Sequence, residues 1–162
     1  MFDVEIQSVA SVYSVPESWI RAVIETESSF DPKAYRAEPR IGDASYGLMQ
    51  LLYKTAQGLG YTGPREGLFD PLTNIDLGTR LLSQLRAKYG DDFKAVYSAY
   101  NSGSPTLWQT SAQVGRNVER AFQNLTKWLQ TGVAEFTANP ESTPIVALLV
   151  AVLLWAWSKK GR

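Results

Sequence analysis

Apolar residues recur every three to four positions over most of the first 129 residues, which is the pattern of amphipathic helices. The pattern predicts six helices, near residues 2–13, 17–28, 48–59, 71–89, 92–100 and 111–129. No run alternates between apolar and polar residues for long enough to predict a strand. The segments 31–46 and 60–70 are rich in Gly, Pro and Asp, so we predict loops there. The fold class predicted for this part is therefore all-α.

Polar residues at the helix boundaries predict where several helices begin. Ser14 and Glu17 have the spacing of a capping box at the start of the second helix. The pair Asp70–Pro71 is typical of a helix start, and we place the fourth helix there. Asp91 or Asp92 is predicted to cap the fifth helix.

The end of the chain has a different pattern. Residues 130–144 have the composition of a linker, and residues 145–157 form an uninterrupted apolar run. As a helix this run is about 20 Å long, shorter than a hydrocarbon core of about 30 Å, but flanking residues and snorkelling basic side chains extend it. We predict a linker, a transmembrane helix at 145–158 and a basic tail at 159–162. A buried helix or a partner-binding tail is the alternative.

Charge is distributed unevenly along the chain. There are 16 basic and 16 acidic residues, and this zero net charge disfavours a nucleic-acid partner. The last five residues, SKKGR, carry three basic residues. A basic flank favours the cytoplasmic side, so residues 1–129 are expected on the opposite, periplasmic side of the membrane. The first residues lack the basic and apolar regions of a signal peptide, so we expect delivery by another route.

Cysteine and histidine are both absent from the sequence. Their absence excludes disulfides, thiol nucleophiles, Ser-His-Asp triads and nearly all zinc-enzyme sites. Any proton transfer must use carboxylates, Lys or Tyr.

Two glutamates in the second helix face different surroundings. Glu27 lies three and four positions after Ile24 and Val23, so it shares their apolar face. Glu25 lies on the more polar side, above Arg21. A carboxylate on an apolar face loses hydration, so its pKa should rise, as a general acid near neutral pH requires. The pattern alone also allows Glu27 to be an ordinary residue at a helix end, and Glu25 is predicted to be solvated.

Four motifs occur in order along the chain, namely ETESSFDP (25–32), SYGLMQ (45–50), DPLTNIDLG (70–78) and AYNSG (99–103). Together they resemble the soluble lytic transglycosylase domain, a lysozyme-like all-α fold that cleaves peptidoglycan. The resemblance extends over about residues 10–125. It implies that Glu27, which precedes Ser28, is the catalytic acid.

The resemblance also implies a reaction without metal, cofactor or water. Glu27 would protonate the oxygen of the MurNAc-β-1,4-GlcNAc bond while the N-acetyl group of MurNAc stabilises the oxocarbenium-like state. The ionised Glu27 would then take the proton of the C6 hydroxyl, which leaves a 1,6-anhydro-MurNAc end. The expected partners are peptidoglycan strands and, through the tail, a lipid bilayer.

The motifs imply further site residues. Tyr100 is expected to lie next to the acid and to hydrogen-bond to it. Gln50 is expected to bind a sugar, and Leu52 to pack on a sugar ring where the family usually has methionine. Ser45 is expected to hydrogen-bond either the acid or a sugar. Asn101 either binds glycan or caps its loop.

Other motif residues are expected to serve the fold. Gly47 allows a close backbone approach or an unusual φ. Met49 either packs in the core or offers an adaptable apolar surface to a sugar. Asn74 and Gly78 are expected to pack rather than to take part in chemistry.

Two alternative functions stay open. Goose-type lysozymes share the acid helix and a GLMQ-like loop but use further acidic residues to position a hydrolytic water, and Asp43 is the candidate here. A turn-forming role is the other interpretation of Asp43. The second alternative is a non-catalytic glycan-binding or structural membrane protein. The expected setting is the membrane of a bacteriophage virion that opens the cell wall during entry, or a secretion or conjugation machine in the bacterial inner membrane.

Overall fold

The computed structural model describes residues 1–138, which contain six α-helices and a small three-stranded antiparallel sheet. By its contacts the chain divides into two units, Met1–Leu125 and Thr126–Arg162, and the site lies in the first. The helices are α1 (Asp3–Tyr13), α2 (Glu17–Ser28), α3 (Tyr53–Gly58), α4 (Pro71–Tyr89), α5 (Phe93–Ser102) and α6 (Ala112–Ala138). The strands are β1 (Tyr35–Glu38), β2 (Asp43–Tyr46) and β3 (Leu51–Leu52). Two 3₁₀ turns occur at Arg65–Phe69 and Leu107–Gln109.

Most of the predicted helices are confirmed, but one predicted cap is wrong. Asp70 accepts a hydrogen bond from the Thr73 amide (2.9 Å) at the start of α4, and Asp92 caps α5. Ser14 does not cap α2, because it adopts a left-handed conformation (φ 54°) that ends α1. The N-cap of α2 is Pro16 instead.

The sheet corrects the prediction that residues 31–46 form only a loop. Strands β1 and β2 pair in antiparallel register, with Arg36 opposite Ser45 and Glu38 opposite Asp43. Strand β3 pairs on the other side of β2, with Leu52 opposite Ser45. Each strand has at most four residues, which is too short for alternation to be recognised in the sequence. The helix predicted at 48–59 is reduced to α3 because residues 51–52 join the sheet.

The last helix is longer than predicted. We expected it to end near residue 129, but α6 continues to Ala138, through residues that we assigned to the linker. The first proline after its start is Pro140, so no residue of the helix lacks a backbone donor. Among the helices of residues 1–138, none is long and apolar enough to cross a membrane. The predicted anchor at 145–158 and the basic tail lie outside the described residues.

The core is built around α2. Its apolar face, with Ile20, Val23 and Ile24, is fully buried. Helix α1 packs on α2 and α4, and α4 packs on α5. A second cluster, which includes Tyr46, Leu51 and other apolar residues, joins the sheet to α3 and α4. These contacts hold the C-terminal end of α2 beside the sheet.

Candidate active site

Glu27 lies in the last turn of α2, where the buried apolar face of the helix ends. On either side of it in sequence, the hydroxyls of Thr26 and Ser28 donate to the carbonyls of Ala22 (2.6 Å) and Ile24 (3.1 Å) in the same helix. The two residues that follow, Ser29 and Phe30, have positive φ values of 52° and 65°. These left-handed residues turn the chain away from the helix directly after the acid.

The surroundings of Glu27 favour its protonated form. Burial raises the pKa of Glu27 above its ordinary value, and the Tyr97 hydrogen bond and the charges of Arg36 and Arg120 oppose this rise. Removal of a carboxylate from water penalises its charged form, which is why burial dominates. The direction of the shift agrees with the one expected from the apolar face of α2.

The hydrogen bond to Glu27 comes from a different tyrosine than expected. The Tyr97 hydroxyl donates to Glu27 Oε1 at 2.7 Å, and Tyr97 is fully buried. The Tyr100 hydroxyl donates to the Met49 carbonyl at 2.7 Å, so the predicted bond from Tyr100 to the acid is wrong. The two rings stack with centroids 6.3 Å apart, one turn apart on α5. Tyr97 therefore faces the acid, and Tyr100 reaches the loop that carries the GLMQ motif.

Tyr97 is held as a hydrogen-bond donor. Burial raises the pKa of Tyr97 far above its ordinary value, and the neighbouring Glu27 carboxylate raises it further. Its proton therefore stays on the hydroxyl at any physiological pH. A fixed donor on one carboxylate oxygen orients the carboxyl group.

Glu27 lines a cleft of about 210 Å³. The residues that the motifs predicted for the site, Ser45, Gln50, Leu52, Tyr100 and Asn101, all line this cleft as well. The cleft is formed by the end of α2, one face of the sheet and the end of α5. These segments are distant in sequence, so the fold brings the motifs together.

The buried side chain of Asn74 holds the GLMQ loop in place through hydrogen bonds. The Asn74 side chain is fully buried and donates to the carbonyls of Tyr46 (2.9 Å) and Leu68 (2.8 Å). Its Oδ1 accepts a hydrogen bond from the Met49 amide at 2.7 Å. Asn74 thus binds the backbone on both sides of Gly47, and the packing role expected for it agrees with this geometry.

Close packing explains the two glycines of these motifs. Gly47 has φ 69°, and a Cβ there would lie 2.5 Å from the Leu68 carbonyl oxygen. A Cβ at Gly78 would overlap the Met49 side chain. Met49 is fully buried, so it packs in the core and does not face a sugar.

The polar residues of the cleft are partly engaged by the protein. Gln50, at φ 47°, donates through Nε2 to the carbonyls of Ala34 and Gly47, both at 3.1 Å. Asn101 accepts a hydrogen bond from Asn117 of α6 at 3.3 Å. Ser45 is only 3% exposed and lines the cleft, and the hydrogen bond to Glu27 comes from Tyr97.

Asp43 accepts hydrogen bonds from the backbone. Its two carboxylate oxygens accept hydrogen bonds from the amides of Ala44 (2.8 Å) and Lys54 (3.0 Å). Asp43 does not line the cleft. Asp43 is the first residue of β2 after the hairpin turn, and its bonds link this turn to the start of α3, which agrees with the turn-forming interpretation.

The cleft contains an ion pair that the sequence did not reveal. Arg36 and Glu38 of β1 line it, and Arg36 Nε lies 2.6 Å from Glu38 Oε1. A predicted strand at 35–38 would have placed these alternate residues on one face.

Within residues 1–138, no group of three or more acidic side chains is arranged to hold a metal ion.

Comparisons with known proteins agree with this architecture. The family model of the transglycosylase SLT domain matches residues 5–123. An inactive mutant of the lytic transglycosylase Slt from Pseudomonas aeruginosa superposes with a TM-score of 0.61 at 24% identity, covering 88% of this chain and 25% of that one. The 70 kDa soluble lytic transglycosylase of Escherichia coli gives 0.55 at 24% identity, covering 79% and 20%. At this identity, the likeness shows the fold.

A curated relative is closer in sequence. The membrane-bound lytic murein transglycosylase C of Shigella sonnei (strain Ss046) is 37% identical over 116 residues, which cover 63% of this chain and 31% of the relative. The chain therefore spans about a third of that relative's length. A further structure, a complex of the 70 kDa soluble lytic transglycosylase with bulgecin A, has a TM-score of 0.58 at 23% identity, covering 79% of this chain and 23% of that one.

Proposed function

Because this chain belongs to the transglycosylase SLT domain family, we propose that it is a peptidoglycan lytic transglycosylase with Glu27 as its acid and base. The observation that carries this proposal is a glutamate with a raised pKa, Glu27, which accepts a hydrogen bond from Tyr97 at the wall of a cleft. A raised pKa keeps a carboxylic acid protonated close to neutral pH, where it can donate its proton.

The proposed reaction balances without water. Glu27 gives its proton to the oxygen of the MurNAc-β-1,4-GlcNAc bond, and the bond to MurNAc C1 breaks. The N-acetyl group of MurNAc stabilises the positive charge at C1. The C6 oxygen of the same sugar then bonds to C1, and its proton returns to Glu27. The products are a GlcNAc hydroxyl and a 1,6-anhydro-MurNAc end.

The other residues near Glu27 bind the sugars or position the acid and the GLMQ loop. Tyr97 orients the Glu27 carboxyl group through its 2.7 Å hydrogen bond. Gln50, Ser45 and Asn101 supply polar groups for the sugars, and Leu52 supplies an apolar surface for a sugar ring. Tyr100 supports the GLMQ loop through the Met49 carbonyl and contributes its ring to the cleft wall.

Digestion of purified peptidoglycan tests the role of Glu27. Glu27→Gln should lower the rate by about 10²- to 10⁴-fold, which is the usual contribution of a general acid. Glu25→Gln is the matched control, since it removes the same charge from the same helix outside the cleft, and its rate should stay within about twofold of wild type. Equal clearing by wild type and Glu27→Gln would refute the assignment. No clearing by wild type would favour a non-catalytic glycan-binding protein.

Mass spectrometry of the released fragments separates the transglycosylase from a goose-type hydrolase. Anhydro ends are lighter than reducing ends by one water. We expect anhydro ends, because Asp43, the carboxylate first considered for a hydrolytic water, is bonded to two backbone amides. Reducing ends alone would overturn the proposed reaction and leave Glu27 as the acid of a muramidase.

We also propose that residues 145–158 anchor the domain to a membrane so that it faces peptidoglycan. The apolar run followed by basic residues supports this proposal, and the Shigella relative is named as membrane-bound. The setting is a virion membrane or the bacterial inner membrane. Deletion from Thr143 onward should move the protein from the membrane fraction to the soluble fraction with its activity intact. A truncated protein that aggregates would favour burial of the apolar run.

A further inference from the structure

One face of the sheet places a row of side chains along the cleft. Arg36 on β1 lies opposite Ser45 on β2, and Ser45 lies opposite Leu52 on β3. Side chains at opposed positions project from the same face, and all three line the cleft together with Glu27. Strand β1 is at the edge of the sheet, so Arg36 forms the outer end of this row.

Glu38 holds the Arg36 side chain at this edge. It follows Arg36 by two positions and therefore projects from the same face of β1. The ion pair uses Arg36 Nε and Glu38 Oε1, at 2.6 Å. Within residues 1–138, the guanidinium makes this ion pair and no hydrogen bond to the protein, so its two terminal nitrogens keep their donors for a ligand. The Arg36 side chain is 64% exposed.

Stability gives little reason for this ion pair. A partly exposed pair contributes little to folding, because water screens the charges and both side chains lose rotamer freedom. A guanidinium held at one nitrogen is instead suited to bind a carboxylate through its two terminal nitrogens. Arg36 is also close enough to the acid for its charge to lower the pKa of Glu27. The cation therefore belongs to the catalytic cleft and not to a remote surface.

The substrate of the proposed reaction limits which anion this cation meets. The sugar rings of peptidoglycan are uncharged, and negative charge is carried by the substituent of MurNAc. That substituent is either a peptide stem with free carboxylates or, without the stem, a lactyl carboxylate close to the ring. Arg36 lies at the exposed end of the row, whereas Ser45 next to it is 3% exposed. This outer position of Arg36 favours contact with the peptide stem, which extends further from the sugar ring than the lactyl carboxylate does.

We propose that Arg36 binds a carboxylate of the peptide stem, and that Glu38 positions the guanidinium for this contact. The inference rests on the proposed function and adds its substrate class, namely strands that still carry their peptide stems. Arg36 is then a specificity-determining residue, and Glu38 acts through it.

The test compares two substrates made from the same glycan strands, one with stems and one from which an amidase has removed them. Arg36→Gln should lower kcat/KM about tenfold on stem-bearing strands and less than about twofold on stripped strands, because it removes one charge-assisted contact. Glu38→Gln should also lower kcat/KM on stem-bearing strands, but by less than Arg36→Gln does. Arg40→Gln is the matched control, because Arg40 lies in the turn of the same hairpin outside the cleft, and it should change neither value.

The ratio of the two kcat/KM values at one pH isolates binding of the stem. Loss of the Arg36 charge also raises the pKa of Glu27, but this changes the rates on both substrates alike. Equal losses on both substrates would overturn the proposal, because they would place the effect on the acid or on the lactyl carboxylate. An unchanged rate on stem-bearing strands would overturn it as well.

A binding measurement keeps this test independent of the reaction. In the Glu27→Gln background, calorimetry with a soluble stem-bearing fragment should show about a tenfold higher Kd when Arg36→Gln is added. A stripped fragment should show no such change. This result would hold even if wild type gave no anhydro ends, in which case the proposed reaction fails and the stem contact stands. Equal Kd values with and without Arg36 would refute the contact.

Discussion

Glu27→Gln is expected to stabilise the fold at neutral pH while it removes the acid. Burial raises the pKa of Glu27 in the folded protein, and water surrounds the same carboxyl group in the unfolded chain. The amide of Gln is never charged, so it avoids this penalty. It also keeps an oxygen that accepts the Tyr97 hydroxyl, so the 2.7 Å hydrogen bond survives the substitution.

The pH dependence follows from the direction of the shift. Well below pH 4.5, the ordinary pKa of the group, Glu27 is protonated in both states and the two proteins should be about equally stable. As the pH rises above that value, the unfolded chain ionises first, and the wild type loses stability. The loss stops growing once the pH exceeds the raised pKa of the folded state. The advantage of Glu27→Gln should therefore appear above pH 4.5 and persist at pH 7.

The size of the effect is set by the difference between the two pKa values. Each unit of difference costs about 1.4 kcal/mol of folding free energy at a pH above both values. The Tyr97 hydrogen bond and the charges of Arg36 and Arg120 oppose the cost of burial, so the net cost is smaller than that of burial alone. For a domain of this size, 1 kcal/mol corresponds to a change of about 3 °C in Tm.

Thermal unfolding of wild type, Glu27→Gln and Glu25→Gln at pH 4 and pH 7 tests this reasoning. The Tm difference between wild type and Glu27→Gln should be close to zero at pH 4 and should favour the variant at pH 7, by about 4 °C for each unit by which the pKa is raised. Glu25→Gln should show no such growth with pH. A Glu27→Gln protein that is less stable than wild type at pH 7 would refute the claim that burial dominates the environment of the acid.

Two further substitutions test the supports of the site. Tyr97→Phe removes the hydrogen bond that lowers the pKa of Glu27. The alkaline limb of the pH–rate profile should therefore move to higher pH, and the rate at the optimum should fall about tenfold. An unchanged profile would contradict the role of Tyr97. Gly78→Ala forces a methyl group into the Met49 side chain and should cost about 1–3 kcal/mol in denaturant unfolding. Gly58→Ala is its control, because a Cβ there meets nothing within 4 Å, and equal costs for both would refute the packing argument.

The sequence predicted the helices well because their apolar faces are long. Helix α4 has 19 residues and clear signals at both ends, and its predicted boundaries are confirmed. The strands were missed because each has at most four residues, and the partners of a strand are unknown until the fold is known. The hairpin β1–β2 is stabilised by tertiary contacts such as the edge-to-face rings of Tyr35 and Tyr46, 5.5 Å apart. No local pattern reports such a contact.

The same limit explains what was missed in the site. The motifs placed six of the residues now seen in the cleft, Glu27 among them, because a motif carries spacing information that periodicity lacks. They selected Tyr100 over Tyr97 for the bond to the acid, although both lie on one face of α5. Which of the two reaches Glu27 depends on the rotation of α5 relative to α2, a tertiary quantity. Arg36 and Glu38 were missed for the same reason as the strand that carries them.

The cleft and its supports combine two kinds of residue, and this division predicts how substitutions act. Asn74 and Tyr97 are fully buried, and each fixes a group that must not move, the backbone of the GLMQ loop in one case and the acid in the other. Loss of either leaves buried polar groups without partners, which lowers stability as well as activity. Arg36 and Glu38 lie on an edge strand and contribute little to folding. Changes at this edge should therefore alter which strands are bound without altering whether the site forms.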